Sequence, residues 1–399
     1  MNSFAFLFMI MAKEIYLDAG ATTRIDPKVV EVMMKHLNQN YGNASSSHSV
    51  GQKAKSALNN SRKIIAKAIK ARPEEIIFTS GGTESNNFAI KSIAFTNKNS
   101  GKKGNHIITT KIEHDCVLNS CKWLKEQGFK VTYLDVDKEG FVKPEDLENA
   151  ITNKTILVSI IHGNNEIGTI QDLKVLGDIC KKHDVYFHTD ACQSFTKTKL
   201  NAKDFNIDLM TLNAHKIHGP KGVGCLFVKK GTNIKPWQHG GGHEFGLRSG
   251  TDNVPAIVGF AEAVKLGMKK QHLVYMQSLR NKMIKELLSI PNTKLNGPTK
   301  RRLCNNINIC FKDIDASVLG LKLNNKGIAS SLASACSTNT DKPSHVLKAI
   351  GLSDEDANSS LRFTISRFTQ LEELEYAISI IKKTVASWRK GLFAGKVIE

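Results

Sequence analysis

Short apolar, β-branched runs recur along the first two thirds of the chain. They are EEIIFTS (74–80), HIITT (106–110), KVTYLD (130–135), TILVSII (155–161), VYFHTD (185–190) and IDLMTLN (207–213). Helix-like stretches lie between them. In 114–127 the spacing of Val117, Cys121 and Leu124 puts three apolar side chains on one helical face. In 172–183 Asp172 stands at the N-cap position. Strand followed by helix, repeated, predicts a largely parallel sheet with helices on both faces. Ligand sites in such sheets lie at the carboxyl ends of the strands.

The glycine-rich stretch HGGGHEFGLRSGT (239–251) breaks that rhythm. A long helical pattern follows over 254–289, and Pro291 with Gly297-Pro298 marks a boundary. The remainder reads as a smaller α+β unit: strand 306–311, helix 315–325, polar loop 330–343, a short helix over 344–350, strand 360–365 and helix 371–390. The pattern contains no internal repeat and no low-complexity linker.

Composition narrows the class. The 399 residues suffice for two packed domains. A net charge of +19, from 56 Lys+Arg against 37 Asp+Glu, raises the question of nucleic acid or an acidic partner. No long basic run and no aromatic stacking motif accompanies it, so the charge reads as lysine-rich usage on ordinary helix faces, with no direct nucleic-acid partner expected. The eight cysteines form no C-x-x-C pair, which argues against a zinc or cluster cage. They read as reduced, mostly buried small hydrophobes. The apolar stretch from Phe4 to Ala12 is shorter than the about 20 residues a bilayer span needs. It lacks the basic flank of a signal peptide, so a short extension or a start at Met11 is expected, and no membrane partner.

Unusual polar residues cluster just past the expected strands. GGTES (81–85) opens a helix, and glycines there bare backbone N–H groups that suit a phosphate, with the Thr83 hydroxyl beside them. His114 follows the second strand. HGNNEIG (162–168) crowds two amides and a carboxylate at one strand end. Asp190 ends an apolar strand, with Gln193 three residues on. Past the last strand lies NAHKIHGPKG (213–222), which sets Lys216 between two histidines and a Gly-Pro turn. A lysine near a phosphate cradle, a buried acid and a histidine is the set that pyridoxal phosphate needs. The amine forms a Schiff base with the aldehyde, and the acid keeps the pyridine nitrogen protonated. The P-loop and G-x-G-x-x-G signatures are both absent.

Ten ordered blocks carry a resemblance to a known family. They are YLDAGATT (16–23), YGNASSSHSVG (41–51), FTSGGTESNN (78–87), EHDCVL (113–118), NNEIG (164–168), HTDACQS (188–194), HKIHGPKGVG (215–224), GGGHEFGLRSGT (240–251), SACST (334–338) and SSLRFTISRFT (359–369). Together they resemble cysteine desulfurases of the NifS/IscS type, class V, fold-type I pyridoxal-phosphate enzymes. The resemblance implies a large domain, 15–258, with a mostly parallel seven-stranded sheet flanked by helices. It also implies a smaller α+β C-terminal domain, 259–399, which carries a catalytic cysteine loop and on which the opening ordered residues can pack.

The same resemblance implies the site. Lys216 carries the cofactor, pyridoxal 5'-phosphate. His114 stacks on its ring and shuttles protons, Asp190 pairs with the pyridinium nitrogen, Gln193 bonds the phenolic oxygen and Asn165 faces the ring. Gly82, Thr83, Asn213 and His215 hold the phosphate, joined by Thr251 from a second protomer of a homodimer. Arg362 binds the substrate carboxylate as a fork. Cys336, in the small-residue segment 330–340, is the nucleophile. Its thiolate takes sulfur from L-cysteine, L-alanine leaves, and the persulfide is passed to an iron–sulfur scaffold protein, to tRNA thiolation or to another acceptor. No resident metal is implied, although Cys336 is open to transient ligation of an iron–sulfur cluster.

The sequence departs from the family pattern at Gly20, Ala44, Asn213, Phe245 and Ala333. Asn213 stands for a phosphate-binding serine, Phe245 for a frequent arginine and Ala333 for a glycine before S-A-C. Three other readings stay open: a selenocysteine lyase, a class V aminotransferase, which needs no mobile cysteine, and a basic non-catalytic scaffold. The cytoplasm is the expected compartment, with a mitochondrial or related organelle matrix as the alternative.

Overall fold

The computed structural model describes residues 14–99, 104–332 and 342–391. Strand β1 (Ile15–Tyr16) is followed by helices α1 (Pro27–Asn38) and α2 (Ser49–Ala68). Then come β2 (Ile76–Thr79), α3 (Gly82–Asn99), β3 (His106–Thr110), α4 (Asp115–Glu126), β4 (Lys130–Leu134), α5 (Pro144–Ala150), β5 (Thr155–Ser159), α6 (Leu173–Lys182), β6 (Tyr186–Asp190), β7 (Leu209–Asn213), β8 (Gly224–Val228) and α7 (Val254–Gly267). The C-terminal third contains α8 (Lys270–Leu288), β9 (Thr293–Leu295), β10 (Asn306–Phe311), α9 (Ala316–Asn324), β11 (Ile328–Ala329), β12 (Ser331–Leu332), α10 (His345–Ala349), α11 (Asp354–Asn358), β13 (Ser360–Thr364) and α12 (Leu371–Arg389).

Two compact units result. The larger comprises Thr23–Asn164 and Thr169–Lys269. The smaller takes the described residues up to Thr22, the short segment Asn165–Gly168, and the described residues from Lys270 onward.

In the larger unit a seven-stranded sheet runs in the order β2-β8-β7-β6-β5-β3-β4. Only β8 opposes its neighbours; the pairs β7–β6, β6–β5, β5–β3 and β3–β4 are parallel. Successive strand residues face opposite sides. Phe78, Ile108, Val158 and Met210 enter one core with α1, α2 and α7, whereas Ile77, Ile107, Leu157 and Leu209 enter another with α3 and α4. Both faces are covered, which is why these strands read as unbroken apolar runs. On α4 the expected trio Val117, Cys121 and Leu124 is fully buried; each large apolar side chain contributes roughly 1.5–3 kcal/mol by leaving water. Asp172 caps α6 by accepting from the Val175 N–H at 3.3 Å.

The smaller unit packs α8, α9 and α12 on the antiparallel sheet β12-β13-β10-β9. Strand β1 pairs in parallel with β11.

Three readings of the chain change. The helical pattern over 254–289 is two helices, broken at Met268 and Lys269. Gly267 ends the first, packed so that an added Cβ would meet Thr196 Oγ1 at 2.8 Å. The division between units falls after Lys269 instead of after residue 258, because Phe260, Ala263 and Val264 of α7 belong to the core shared with α1 and α2. Strand β8 was not expected from its residues: GCLFV is buried at every position and shows no period.

Candidate active site

Asp190 and Asn213 end β6 and β7, Gln193, His215 and Lys216 lie on the turns that follow them, and Gly82 and Thr83 open the helix after β2. Asp190 is the last residue of β6 and is 5% exposed. Its Oδ1 accepts from the Cys192 backbone N–H at 2.9 Å and its Oδ2 from Asn86 Nδ2 at 2.6 Å. Gly82 opens α3 against this turn: a Cβ there would lie 2.7 Å from Cys192 Sγ and 3.5 Å from Asn213 Nδ2. Asn213 ends β7, is buried, and its Oδ1 has no hydrogen-bond partner. Thr83, one residue into α3, is exposed at the helix N-terminus.

Lys216 sits half-buried on a tight turn after β7. The N–H groups of Ile217 and Gly219 both donate to the Ala214 carbonyl, at 3.1 and 3.0 Å. His218 takes φ 67°, the left-handed region that costs a non-glycine residue about 1 kcal/mol or more. The turn is clamped from two sides. Thr23 donates to the His215 carbonyl through its backbone N–H at 3.0 Å and its hydroxyl at 2.8 Å, and that hydroxyl accepts from the His218 N–H at 2.8 Å. Lys197 Nζ donates to the Gln193 and Lys216 carbonyls at 2.9 and 3.3 Å. Gln193 is 6% exposed.

His215 is held neutral. Burial, then the charges of Lys216, Lys221 and Lys197, push its pKa down to about 4. Its ring N–H is a donor that a phosphate can use. His188 is also pushed down to about 4, by burial, but it lies inside the sheet, between the Ser159 and Thr211 hydroxyls at 2.8 and 3.1 Å. It is a core histidine.

His114 caps α4, its Nδ1 accepting from the Cys116 N–H at 3.2 Å. Beside it, burial pushes Glu113 up to about 8, against the opposing pull of the Ile161 N–H and the Thr110 hydroxyl; the charge of Asp190 adds to the rise. Thr251 is exposed at the end of the glycine-rich segment. That segment is anchored by two ion pairs. Glu244 accepts from Arg62 Nη1 and Nη2 at 2.8 and 2.6 Å and from the Phe78 N–H at 2.6 Å, and Arg248 Nε bonds Glu84 at 2.9 Å. Phe245, left-handed at φ 59°, is 59% exposed.

In the smaller unit Arg362 lies on β13, 2% exposed. Its Nη1 donates to the Asn165 carbonyl at 3.2 Å and its Nη2 to Asp18 Oδ1 at 3.1 Å. The 165–168 segment is fixed by amides: Asn306 and Asn308 donate to the Glu166 carbonyl at 3.1 and 3.0 Å. Ser344, the cap of α10, donates to Glu166 Oε2 at 2.5 Å. Cys336 lies outside the described residues. The other seven cysteines are free thiols; six are buried and Cys116 is half-buried.

Sequence reasoning missed Asn86, Thr23, Lys197, Asp18 and Glu113. Asn86 alone carried a usable signal. It stands four residues after Gly82, on the same face of a helix opened by glycines.

The aminotransferase class-V family model matches residues 15–376. The cysteine desulfurase IscS of Clostridium botulinum is 46% identical over 385 residues, covering 95% of this chain and 96% of the relative. The chain belongs to the class-V aminotransferase family, among its cysteine desulfurases. A solved NifS-like protein superposes with a TM-score of 0.88 at 37% identity, covering 94% of this chain and 99% of that one. A second, described as SspA in complex with cysteine, gives 0.80 at 36% identity, covering 89% of this chain and all of that one (100%). Cysteine desulfurases are pyridoxal-phosphate enzymes. The residues of the larger unit fit that cofactor: a buried carboxylate for a pyridine nitrogen, a half-buried lysine on a strained turn, and the N-terminus of α3, opened by Gly82, for a phosphate. Among the described residues no helix is long and apolar enough to cross a membrane, and no cluster of metal-ligating side chains occurs.

Proposed function

We propose that this chain removes sulfur from L-cysteine, releases L-alanine and carries the sulfur as a persulfide on Cys336. The observation that carries the reading is the placement of Asp190 at the end of β6 and of Lys216 on the turn after the adjacent parallel strand β7. Asp190, buried and held by neutral donors, is suited to pair with a protonated pyridine nitrogen. Gly82, Thr83, Asn213 and neutral His215 are the phosphate donors. Gln193 is the partner of the phenolic oxygen, Asn165 and His114 face the ring, and Thr251 acts from the second protomer of a homodimer.

Bound pyridoxal phosphate supplies an electron sink for the substrate α-carbon. Lys216 Nζ holds the cofactor and, once released, takes the α-proton. Arg362 receives the substrate carboxylate. The Cys336 thiolate then attacks the substrate sulfur. The carbon–sulfur bond breaks, a sulfur–sulfur bond forms on Cys336, and the carbon skeleton leaves as alanine. No external oxidant is consumed, because the two electrons that the sulfur gives up on forming the persulfide are taken by the β-carbon, whose C–S bond is replaced by C–H. The acceptor is an iron–sulfur scaffold protein or a tRNA-thiolating protein. The compartment that the cysteine pattern of the sequence suggests is a reducing one, cytosol first and organelle matrix second.

The test is direct. The purified protein is given L-cysteine, and alanine and sulfide are measured with a reductant present. Alanine and sulfide in equal amounts are expected, lost in Lys216→Ala and Cys336→Ala. Full sulfur release by Cys336→Ala would overturn the persulfide route.

A further inference from the structure

The corner around Asp190 contains two residues to which the reading above gives no role. Asn86 is fully buried on α3, and its amide nitrogen makes two contacts: Asp190 Oδ2 at 2.6 Å and Cys116 Sγ at 3.2 Å. The carboxylate fixes the amide orientation, since an oxygen facing Asp190 would repel it. Cys116 Sγ in turn lies 3.1 Å from His114 Nδ1. That ring nitrogen already accepts the Cys116 backbone N–H at 3.2 Å. It is therefore the acceptor of the ring, and a neutral His114 carries its proton on Nε2. Burial, followed by the charge of Asp190, pushes the Cys116 thiol up to about 12, so it remains S–H at neutral pH. The sulfur can accept from Asn86 and donate to His114 at once.

We propose that Asn86 and Cys116 are positioning residues, forming one hydrogen-bonded line, Asp190–Asn86–Cys116–His114. The line holds both the carboxylate that pairs with the cofactor nitrogen and the ring orientation of the histidine that faces it. This rests on the cofactor placement proposed above. Every member has a defined direction. Asn86 gives its two amide protons to Asp190 and to sulfur, the thiol gives its proton to Nδ1, and the Nε2 proton of His114 is left to point away from the line. Asn86 thus stabilises the ionised form of Asp190 with a neutral donor, leaving positive charge to be supplied by the ligand. The Cys116 thiol ties the His114 ring, whose tautomer its backbone N–H already fixes, to the same line.

The test uses full-length protein and two readouts besides turnover: the dissociation constant for pyridoxal phosphate, and the pH midpoint of the visible band of the bound cofactor. Asn86→Ala is expected to weaken cofactor binding about ten-fold, the loss of one hydrogen bond to a charged group. It is also expected to move the pH midpoint upward, because a ring nitrogen held less firmly in its protonated form makes the Lys216-linked nitrogen more basic. Cys116→Ala should move the midpoint less, and Cys116→Ser, which keeps a donor to Nδ1, should restore it. Asn86→Ala placed on Asp190→Ala should add nothing to the loss of affinity. Wild-type affinity and midpoint in Asn86→Ala, or losses that add fully in the double variant, would overturn the line. If Asn86→Ala fails to fold, Cys116→Ala against Cys116→Ser carries the same decision. Failure of the underlying reading looks different: Asp190→Ala would then bind the cofactor like the wild type.

Discussion

The two units bury charge in opposite ways. In the larger, the carboxylate of Asp190 is held by a backbone N–H and the Asn86 amide, all neutral donors. In the smaller, the guanidinium of Arg362 faces the carboxylate of Asp18 and a carbonyl. A buried ion without a counter-ion is costly, and a neutral cradle offsets only part of that cost. Asp190 is thus a site waiting for a cation, as a protonated pyridine nitrogen would be. Arg362 already has its anion, so a substrate carboxylate must share it. A third buried ionisable group marks the difference. Glu113, near Asp190, is pushed up to about 8 and stays protonated at neutral pH. Glu113 therefore brings no anion of its own to this region at neutral pH.

The largest expected effect comes from removing that anion. Asp190→Asn keeps the shape and should lower alanine formation by about 100- to 1000-fold, the range for one preorganised electrostatic group. Its melting temperature should not fall. A variant that loses stability but retains its turnover would erase the contrast with Arg362.

Next is Asp18→Ala. It leaves the Arg362 guanidinium buried beside a carbonyl alone and should cost about 3 kcal/mol in urea unfolding. A near-neutral result would mean that the pair is not needed to hold the arginine.

Gly82→Ala tests the close approach of α3 to the Asp190 turn. An added methyl 2.7 Å from Cys192 Sγ must displace the thiol. Overpacking of this kind costs about 1–3 kcal/mol, and cofactor affinity should fall roughly in step.

The smallest effect is in pH dependence. Glu113 keeps its proton to about 8 when folded, against 4.5 ordinarily, so its contribution to stability is lost as pH rises through that window. His188 and His215, both near 4 when folded against 6.5 ordinarily, act the other way: stability is lost as pH falls from 6.5 towards 4. Glu113→Gln should therefore lose less stability than the wild type between pH 6 and pH 8.5, while the acid limb stays unchanged. Thermal melts across pH check both limbs.

Periodicity made much of this legible. The strands at 106–110 and 306–311 begin and end where their apolar runs do, and Asp172 caps α6 as its position suggests. Asp190 and Lys216 stood out because each is an ionisable residue just past an apolar strand. What escaped was long-range. Asp18 and Arg362 are 344 residues apart and meet only because residue 18 bridges to Thr364 beside β13. Thr23 grips the Lys216 turn from 192 residues away. Asn86 stands four residues after Gly82 on one helical face, but only its burial against Asp190 gives it a part. Strand β8 escaped for the opposite reason, being apolar throughout between glycine turns.

The most direct measurement is borohydride reduction of the purified, cofactor-loaded protein, followed by peptide mass mapping. A phosphopyridoxyl group on Lys216 and on no other lysine is expected, with the visible band bleached in proportion. An adduct on a different lysine, or none on a protein that still makes alanine from cysteine, would contradict the assignment of the turn after β7 as the seat of the chemistry.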